Sequence, residues 1–183
     1  MKSTYLILLI FCSLETFPQS PDSIQPLTIN KLMNAIYSPS ENESLFDKNI
    51  KLINGFHYYP NQYEIIDSTS YTDLNDKMVA FGDLNKDGID DAAVILGTEG
   101  GGSGYFVDLV VVYNMNGNPR CIASKGLGDR IEVKQIKINK GIVELKMLTH
   151  MERDGQCCPS KITVAKFIVK GNKLVEITGV KFY

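Results

Sequence analysis

The sequence predicts a mainly β fold (α+β), an antiparallel β meander of about eight strands with one short N-terminal helix. Three observations predict it. Apolar and polar residues alternate with period two through much of the chain after residue 50, glycine-containing turns separate several of these runs, and one earlier stretch has helical spacing. No segment of roughly 20–50 residues recurs, so we do not expect this chain to form a propeller or solenoid by itself.

The predicted helix lies near the N-terminus. Thr28 is a suitable N-cap residue, and Ser38-Pro39 should end the helix. Residues 38–49 are polar and are expected to form a loop. Four apolar residues have the spacing i, i+3, i+4 and i+7 of one helical face: Ile29, Leu32, Met33 and Ile36.

Strand-like segments follow. Hairpin turns are expected at Asn116-Gly117, Asn139-Lys140-Gly141 and Gly171-Asn172, which contain residues that tolerate positive φ. The expected strands are 77–82, 91–97, 105–114, 120–125, 131–139, 142–151, 161–170 and 173–180. The apolar members of segment 142–151 should share one buried face: Val143, Leu145, Met147 and Met151.

Composition and charge narrow the class of protein. The chain has 183 residues, of which 44% are hydrophobic, and its formal net charge is −2. This length suits one globular domain with a sizeable core. Because there is no excess of basic residues to neutralise phosphates, we expect no nucleic-acid binding.

The N-terminus predicts export. Lys2 precedes a mostly apolar run at 5–14, which is the pattern of a secretory signal. Ten residues in a helix span about 15 Å, half of a bilayer core, so the run is too short for a transmembrane helix. We therefore expect a signal peptide at 1–20, a proline-containing linker at 21–27 and a single β-rich domain at 28–183. The protein would be periplasmic, attached to the cell envelope or secreted.

Cys12, near the end of this apolar run, is a candidate for lipid attachment, as in bacterial lipoprotein signals. Those signals have a small residue directly before the cysteine, whereas this chain has Phe11. The match is therefore incomplete, and the two alternatives are lipidation of Cys12 and its removal with the signal. Any contact with a membrane would be made through this anchor.

The segment 81–91, Phe-Gly-Asp-Leu-Asn-Lys-Asp-Gly-Ile-Asp-Asp, carries the strongest functional signal. Gly88 permits a sharp turn that lets a backbone carbonyl point inward. Ca²⁺ takes about six to eight oxygen ligands, and closely spaced carboxylates repel one another unless a cation lies between them. We predict that loop 83–91 binds Ca²⁺ through alternating side chains and one carbonyl: Asp83, Asn85, Asp87, the carbonyl of Ile89, and Asp91.

The spacing excludes an EF-hand. The twelfth position of such a loop is Glu, but here it is Val94, and the flanking segments are strand-like rather than helical. Mg²⁺ is less expected than Ca²⁺ because it usually keeps several of its waters. The alternative without a metal is an acidic Asx-rich turn.

Three cysteines would remain after removal of the signal: Cys121, Cys157 and Cys158. Export favours oxidised thiols, so either Cys157 pairs with Cys158 or Cys121 pairs with one of them. A zinc site with His150 is disfavoured, because adjacent cysteines lack the spacing of a zinc knuckle.

The sequence Gly-Asp-Leu-Asn-Lys-Asp-Gly-Ile-Asp-Asp-Ala-Ala-Val-Ile-Leu at 82–96 resembles the calcium loop and following strand of FG-GAP repeats in integrin-type β-propellers. A propeller needs several such blades, and the motif occurs once here. The resemblance therefore implies the calcium chemistry of the loop and not the propeller.

A wider resemblance covers roughly 28–183 and is to an uncharacterised family of bacterial extracytoplasmic proteins, often lipoproteins. It implies no activity, and it favours the vicinal pair Cys157–Cys158, because Cys-Cys-Pro belongs to the family pattern. The matching segments are Leu-Met-Asn-Ala-Ile-Tyr at 32–37, the loop at 82–96, Gly-Gly-Gly-Ser-Gly-Tyr-Phe at 100–106, Gly-Leu-Gly-Asp-Arg at 126–130, and Leu-Thr-His at 148–150 leading to Cys-Cys-Pro at 157–159.

These observations predict a non-enzymatic, secreted or envelope-anchored, calcium-binding module with a structural or binding role, whose partner would be an unidentified protein or envelope component. The alternative is an extracytoplasmic hydrolase or redox protein that uses the loop from His150 to Cys158. A third hypothesis is a binding module that presents the glycine-rich segment 97–104. Three tyrosines are expected in the core or on a hairpin face rather than at a sugar site: Tyr58, Tyr59 and Tyr63.

Overall fold

The computed structural model describes residues 24–39, 49–58, 62–66, 78–99 and 102–177, so the predicted signal peptide and Cys12 lie outside the described residues. The described residues form one helix and twelve strands. In chain order these are α1 (Ile29–Leu32), β1 (Ile36–Tyr37), β2 (Ile50–Lys51), β3 (Phe56–His57), β4 (Gln62–Ile65), β5 (Val79–Gly82), β6 (Asp91–Glu99), β7 (Tyr105–Met115), β8 (Asn118–Asp129), β9 (Glu132–Asn139), β10 (Ile142–Thr149), β11 (Lys161–Lys170) and β12 (Lys173–Glu176).

The protein is mainly β with antiparallel sheets and one short helix, as predicted, but the prediction of an eight-stranded meander is wrong. The described residues contain twelve strands arranged in three sheets. Strands β5 to β12 correspond to the eight predicted strands. The additional strands, β1 to β4, have two to four residues each. Such short segments do not show a clear period of two, which explains why the sequence pattern missed them.

A six-stranded sheet forms the centre of the fold. Its main path is β3-β4-β6-β7-β8, and β5 also pairs with β6. β4 pairs with residues 96–99 of β6 and β5 with residues 91–94, so both lie along the same edge of that strand. β6 is buried from residue 91 to residue 98, because other layers cover both faces of the sheet.

A four-stranded sheet, in the order β12-β11-β10-β9, packs on one face of the six-stranded sheet. The alternation predicted for segment 142–151 is confirmed at Val143, Leu145 and Met147. It is wrong for Met151, which lies beyond the end of β10 and is 54% exposed. The core between the two sheets includes Ala93, Ile95, Leu109 and Val111 from one sheet and Val143, Leu145, Ala165 and Phe167 from the other.

The predicted hairpin turns are confirmed. Asn116 and Gly117, between β7 and β8, have φ values of 53° and 80°. Lys140 and Gly141 join β9 to β10 with φ values of 50° and 77°, and Gly171, at 61°, follows β11. These are the left-handed conformations that two-residue hairpin loops require, and Gly and Asn adopt them at low cost.

The N-terminal segment covers the other face of the six-stranded sheet. Leu27, at the end of the predicted linker, is buried there, and the backbone N–H of Gln25 donates to Asn116 Oδ1 at 3.1 Å. The hydroxyl of Tyr37 is also satisfied, because it donates to the Leu32 carbonyl at 2.9 Å. This second core includes Leu32, Tyr37, Ile50 and Leu52 packed with Val94, Leu96, Val110 and Val112.

Helix α1 is shorter than predicted. Thr28 is its N-cap as expected, with Oγ1 accepting the Lys31 N–H at 3.3 Å. The prediction that Ile36 belongs to the apolar face of this helix is wrong, since Ile36 lies in β1 and is 55% exposed. Pairing of β1 with β2 buries Tyr37, and this tertiary packing overrides the helical spacing. Within the described ranges, no helix is long and apolar enough to cross a membrane.

Candidate functional site

The predicted calcium ligands lie in the loop between β5 and β6 and at Asp91, the first residue of β6. The two strands form an antiparallel pair that ends at Gly82 opposite Asp91, so residues 83–90 make the connection. Gly82 packs closely on β9, where an added Cβ would lie 2.6 Å from Ile138 Cγ2. A glycine at this position therefore lets the base of the loop approach the four-stranded sheet.

Asp83 folds the first half of the loop. Its Oδ1 accepts the Lys86 N–H at 2.6 Å, and its Oδ2 accepts the Gly88 N–H at 3.0 Å. Lys86 and Gly88 have positive φ values of 68° and 83°. Glycine adopts such a conformation without steric cost, so the predicted turn at Gly88 is confirmed.

Asn85 and Asp87 make hydrogen bonds that stabilise the second half of the loop. Asn85 Oδ1 accepts the Asp87 N–H at 2.8 Å, and Asp87 Oδ1 accepts the Ile89 N–H at 2.8 Å. The Asn85 amide also donates to Asp87 Oδ2 at 2.9 Å. Both side chains therefore turn toward the backbone of the loop, although both residues are exposed.

Asp91 is the buried base of the loop and has no exposed surface. Its Oδ2 accepts the Leu84 N–H at 3.1 Å, and its Oδ1 accepts the Asn114 N–H of β7 at 2.9 Å. Burial raises the pKa of Asp91 above its ordinary value, and the nearby Asp87 carboxylate adds to that rise. Hydrogen bonds from the backbone N–H groups of Asn114, Leu84 and Asn85 partly offset it. A positive charge in the loop would therefore stabilise the ionised form of Asp91.

The chemistry of these groups suits a hard cation. They are carboxylate, amide and carbonyl oxygens, and a carboxylate oxygen that accepts one N–H keeps a second lone-pair direction. Among the described ion pairs, none includes Asp83, Asp87 or Asp91. In the part of the chain that is described, no group of three or more His, Cys, Asp or Glu side chains lies close enough together to hold a metal ion. Binding would therefore draw the loop carboxylates toward one point.

Sequence reasoning missed the contribution of Asn114. This residue is 4% exposed, and its N–H reaches Asp91. Its Oδ1 accepts the Gly117 N–H at 2.6 Å, and its Nδ2 donates to the Gln25 carbonyl at 3.0 Å. The available signal was its place two residues before the Asn-Gly turn, where an Asn side chain often bonds to the turn backbone.

The segment from His150 to Cys158 lies in the connection between β10 and β11. Cys157 and Cys158 form a vicinal disulfide, the pairing that the family resemblance favours, and both are exposed. Cys121 carries a free thiol in β8, and burial raises its pKa. The disulfide therefore lies in a connecting loop rather than between sheets.

Asp154 stabilises the conformation of this connection through hydrogen bonds. Its carboxylate accepts the backbone N–H groups of Met151 at 2.8 Å and Ser160 at 2.9 Å, and the Ser160 hydroxyl at 2.8 Å. These bonds lower the pKa of Asp154. His150 Nε2 donates to the Arg130 carbonyl at 3.2 Å. His150 and Asp154 thus both make hydrogen bonds that are structural.

The tyrosines expected in the core or on a hairpin face differ in burial. Tyr63 is 1% exposed in the second core, whereas Tyr58 is 71% exposed. Tyr59 lies outside the described residues, as do Gly100 and Gly101 of the glycine-rich segment.

Comparisons with known proteins give no relative. No protein-family model matches the chain, and neither a curated protein nor a solved structure matches it significantly. The resemblance of segment 82–96 to FG-GAP loops therefore stays a hypothesis about the loop, and function has to be argued from the geometry.

Proposed function

We propose that this protein is an exported, β-rich domain that binds one Ca²⁺ in loop 83–91 and has no catalytic activity. The observation that carries the proposal is the position of Asp91. A carboxylate wholly buried at the base of the loop, near the Asp87 carboxylate and without a basic partner among the described ion pairs, favours a cation. The role of the ion would be structural, because Asp91 also joins the loop to β7.

The expected stabilisation is modest. Calcium sites of extracellular modules have Kd values of about 10⁻⁴–10⁻³ M, so about 1 mM Ca²⁺ would add about 0.4–1.4 kcal/mol to the free energy of unfolding. This is useful for a domain of ordinary marginal stability. It is too small to switch the fold on and off.

The test is a calorimetric calcium titration of the metal-stripped protein, with the variants Asp87→Asn and Asp90→Asn. Both replaced residues are exposed acids of the same loop, and only Asp87 is a proposed ligand. We expect saturable binding at one site that Asp87→Asn weakens at least about tenfold, since it removes a charged ligand. Asp90→Asn controls for the loss of charge.

If both variants weaken calcium binding equally, the ion is held by the general negative charge of the loop and not by specific ligands. If the folded wild-type protein does not bind Ca²⁺, the loop is an Asx-rich turn without a metal.

Export is tested separately by fusing residues 1–27 to alkaline phosphatase, which is active only outside the cytoplasm. An inactive fusion would contradict the proposal that the protein is exported.

The exposed disulfide favours a second candidate, an extracytoplasmic redox protein that uses the His150–Cys158 loop. It requires exchange of the Cys157–Cys158 disulfide with an external dithiol at a rate well above that of a free peptide disulfide. Thiol-exchange kinetics of wild type and His150→Ala test it. Slow exchange that does not respond to His150 would exclude this candidate.

A further inference from the structure

The six-stranded sheet carries a cleft at the opposite end of β6 from loop 83–91. The cleft contains a cavity of about 220 Å³ and is lined by β3, β4, the end of β6 and the start of β7. We infer that it binds an organic cation through an ammonium or guanidinium head group. Asp91 and Gly97 are six residues apart in the same strand, about 20 Å, so this inference does not depend on the proposed calcium loop.

The cleft is built around Gly97. The Tyr105 ring lies so close over this residue that a Cβ would overlap it. Because the ring can take this position, the Tyr105 hydroxyl reaches across β6 and donates to Glu64 Oε1 at 2.8 Å. This hydrogen bond fixes the direction of the Glu64 carboxylate and leaves acceptor positions on it for a ligand.

The strand register places the two acidic groups and Tyr105 on one face of the sheet. Glu64 pairs with Gly97, and Glu99 pairs with Tyr105, so the side chains of Glu64, Glu99 and Tyr105 project from the face that carries Ile95. Ile95 lies in the core between the two sheets. The cleft is therefore the continuation of this face beyond the buried core.

The charge of the cleft favours a cation. Glu64 and Glu99 are diagonal neighbours across β4 and β6, which places such residues about 7–8 Å apart and their Cβ atoms somewhat closer. Among the described residues that line the cavity there is no Lys or Arg, and the one basic side chain is His57, whose Nδ1 donates to the Lys51 carbonyl at 3.0 Å. A positive group between the two carboxylates would relieve their repulsion and bond to both.

Aromatic rings make an organic cation a better match than a metal ion. Phe56 and Tyr58 line the cleft with nearly parallel rings, whose centroids are 6.0 Å apart at an interplanar angle of 16°. Ring faces attract organic cations. A calcium ion would instead need about six to eight oxygen ligands.

The size of the cavity limits the ligand to a small group. Cavities for drug-sized molecules have about 300–1,000 Å³, so the 220 Å³ cavity suits a head group with a short aliphatic chain. The same chemistry occurs in a free small amine and in the side chain of a basic peptide. The experiment therefore includes both sources.

The test measures binding by calorimetry and by saturation-transfer NMR at fixed calcium, with agmatine as the free amine and N-acetylarginine amide as the side chain. N-acetylcitrulline amide is a neutral match for the second probe. We expect the arginine compound to bind at least about tenfold more tightly than the citrulline compound, because only the former makes charge-assisted hydrogen bonds. Agmatine binding without binding of the arginine compound would identify a free amine as the ligand.

Three variants and one control variant locate the site. Glu64→Gln and Glu99→Gln should each weaken binding about tenfold or more, whereas Glu176→Gln, at an exposed glutamate on β12, should leave it unchanged. Tyr58→Ala removes a ring that is 71% exposed, so it should preserve the fold and weaken binding about two- to fivefold. Measurable binding of the arginine and citrulline compounds with equal affinity, equal effects of Glu99→Gln and Glu176→Gln, or no binding of either cation by the folded protein would overturn the inference.

Discussion

The carboxylate of Asp91 accepts a hydrogen bond from the backbone N–H of Asn114 at 2.9 Å, which ties the start of β6 to β7. Its other oxygen accepts the Leu84 N–H at 3.1 Å. One buried side chain thus satisfies a donor in the loop and a donor in the neighbouring strand. This function requires no cation, so the structural role of Asp91 can be separated from the proposed binding role of Asp87.

The first prediction concerns that separation. In chelator, Asp91→Asn should lower the free energy of unfolding by about 1–3 kcal/mol, because asparagine has one acceptor oxygen for the two buried N–H donors of Leu84 and Asn114. Asp87→Asn changes an exposed residue and should stay within about 0.5 kcal/mol of wild type. Urea denaturation at neutral pH measures both. Equal losses would mean that Asp91 has no special structural role.

The second prediction concerns Gly97. Gly97→Ala should lower the free energy of unfolding by about 1–3 kcal/mol, because the new methyl group must displace the Tyr105 ring and break its hydrogen bond to Glu64. In Gly97→Ala/Tyr105→Ala the clash is absent, so the loss should be smaller than the sum of the two single losses. Additive losses in urea denaturation would show that the two residues do not interact.

The predictions from sequence that hold are those with a local cause. The turns at Asn116-Gly117 and Gly88 follow from the few residue types that accept positive φ, and the structure has positive φ at all three positions. The alternating positions of β10 follow from its one buried face. Their close spacing in the sequence also explains why the four side-chain ligands proposed for loop 83–91 lie in one strand-to-strand connection and at the first residue of the strand that follows it.

What the sequence pattern could not show depends on distant contacts. Ile36 fits a helical face, yet β1 pairs with β2 across a loop and leaves Ile36 exposed. Asp91 is an ordinary loop acid in the sequence, and only the pairing of β6 with β7 brings it to Asn114. The cleft likewise joins Glu64 to Tyr105, which are 41 residues apart.

The third prediction concerns the vicinal disulfide. Cys157→Ser/Cys158→Ser should change the free energy of unfolding by about 1 kcal/mol or less, because a bond between adjacent residues removes little chain entropy from the unfolded state. Asp154→Ala should loosen the loop more, since it removes the acceptor for Met151 and Ser160. Hydrogen exchange of the Met151 and Ser160 amides measures this. Faster exchange of these amides in the cysteine variant than in Asp154→Ala would show that the disulfide, and not Asp154, stabilises the loop.

The fourth prediction concerns acid stability. Hydrogen bonds from Arg130, at 2.9 Å from Nε, and from the Tyr105 N–H hold the pKa of Asp129 below its ordinary value. A carboxylate whose pKa is lower in the folded state stabilises the fold above its unfolded pKa, and this contribution is lost as the pH falls through the folded pKa. Wild type should therefore be more stable than Asp129→Asn at neutral pH, and the difference should shrink as the pH falls below about 4, the ordinary pKa of an Asp carboxyl. Urea denaturation across this range, with Asp90→Asn as a control for net charge, measures the difference. A gap between wild type and Asp129→Asn that stays constant with pH would show that ionised Asp129 contributes nothing specific to the fold.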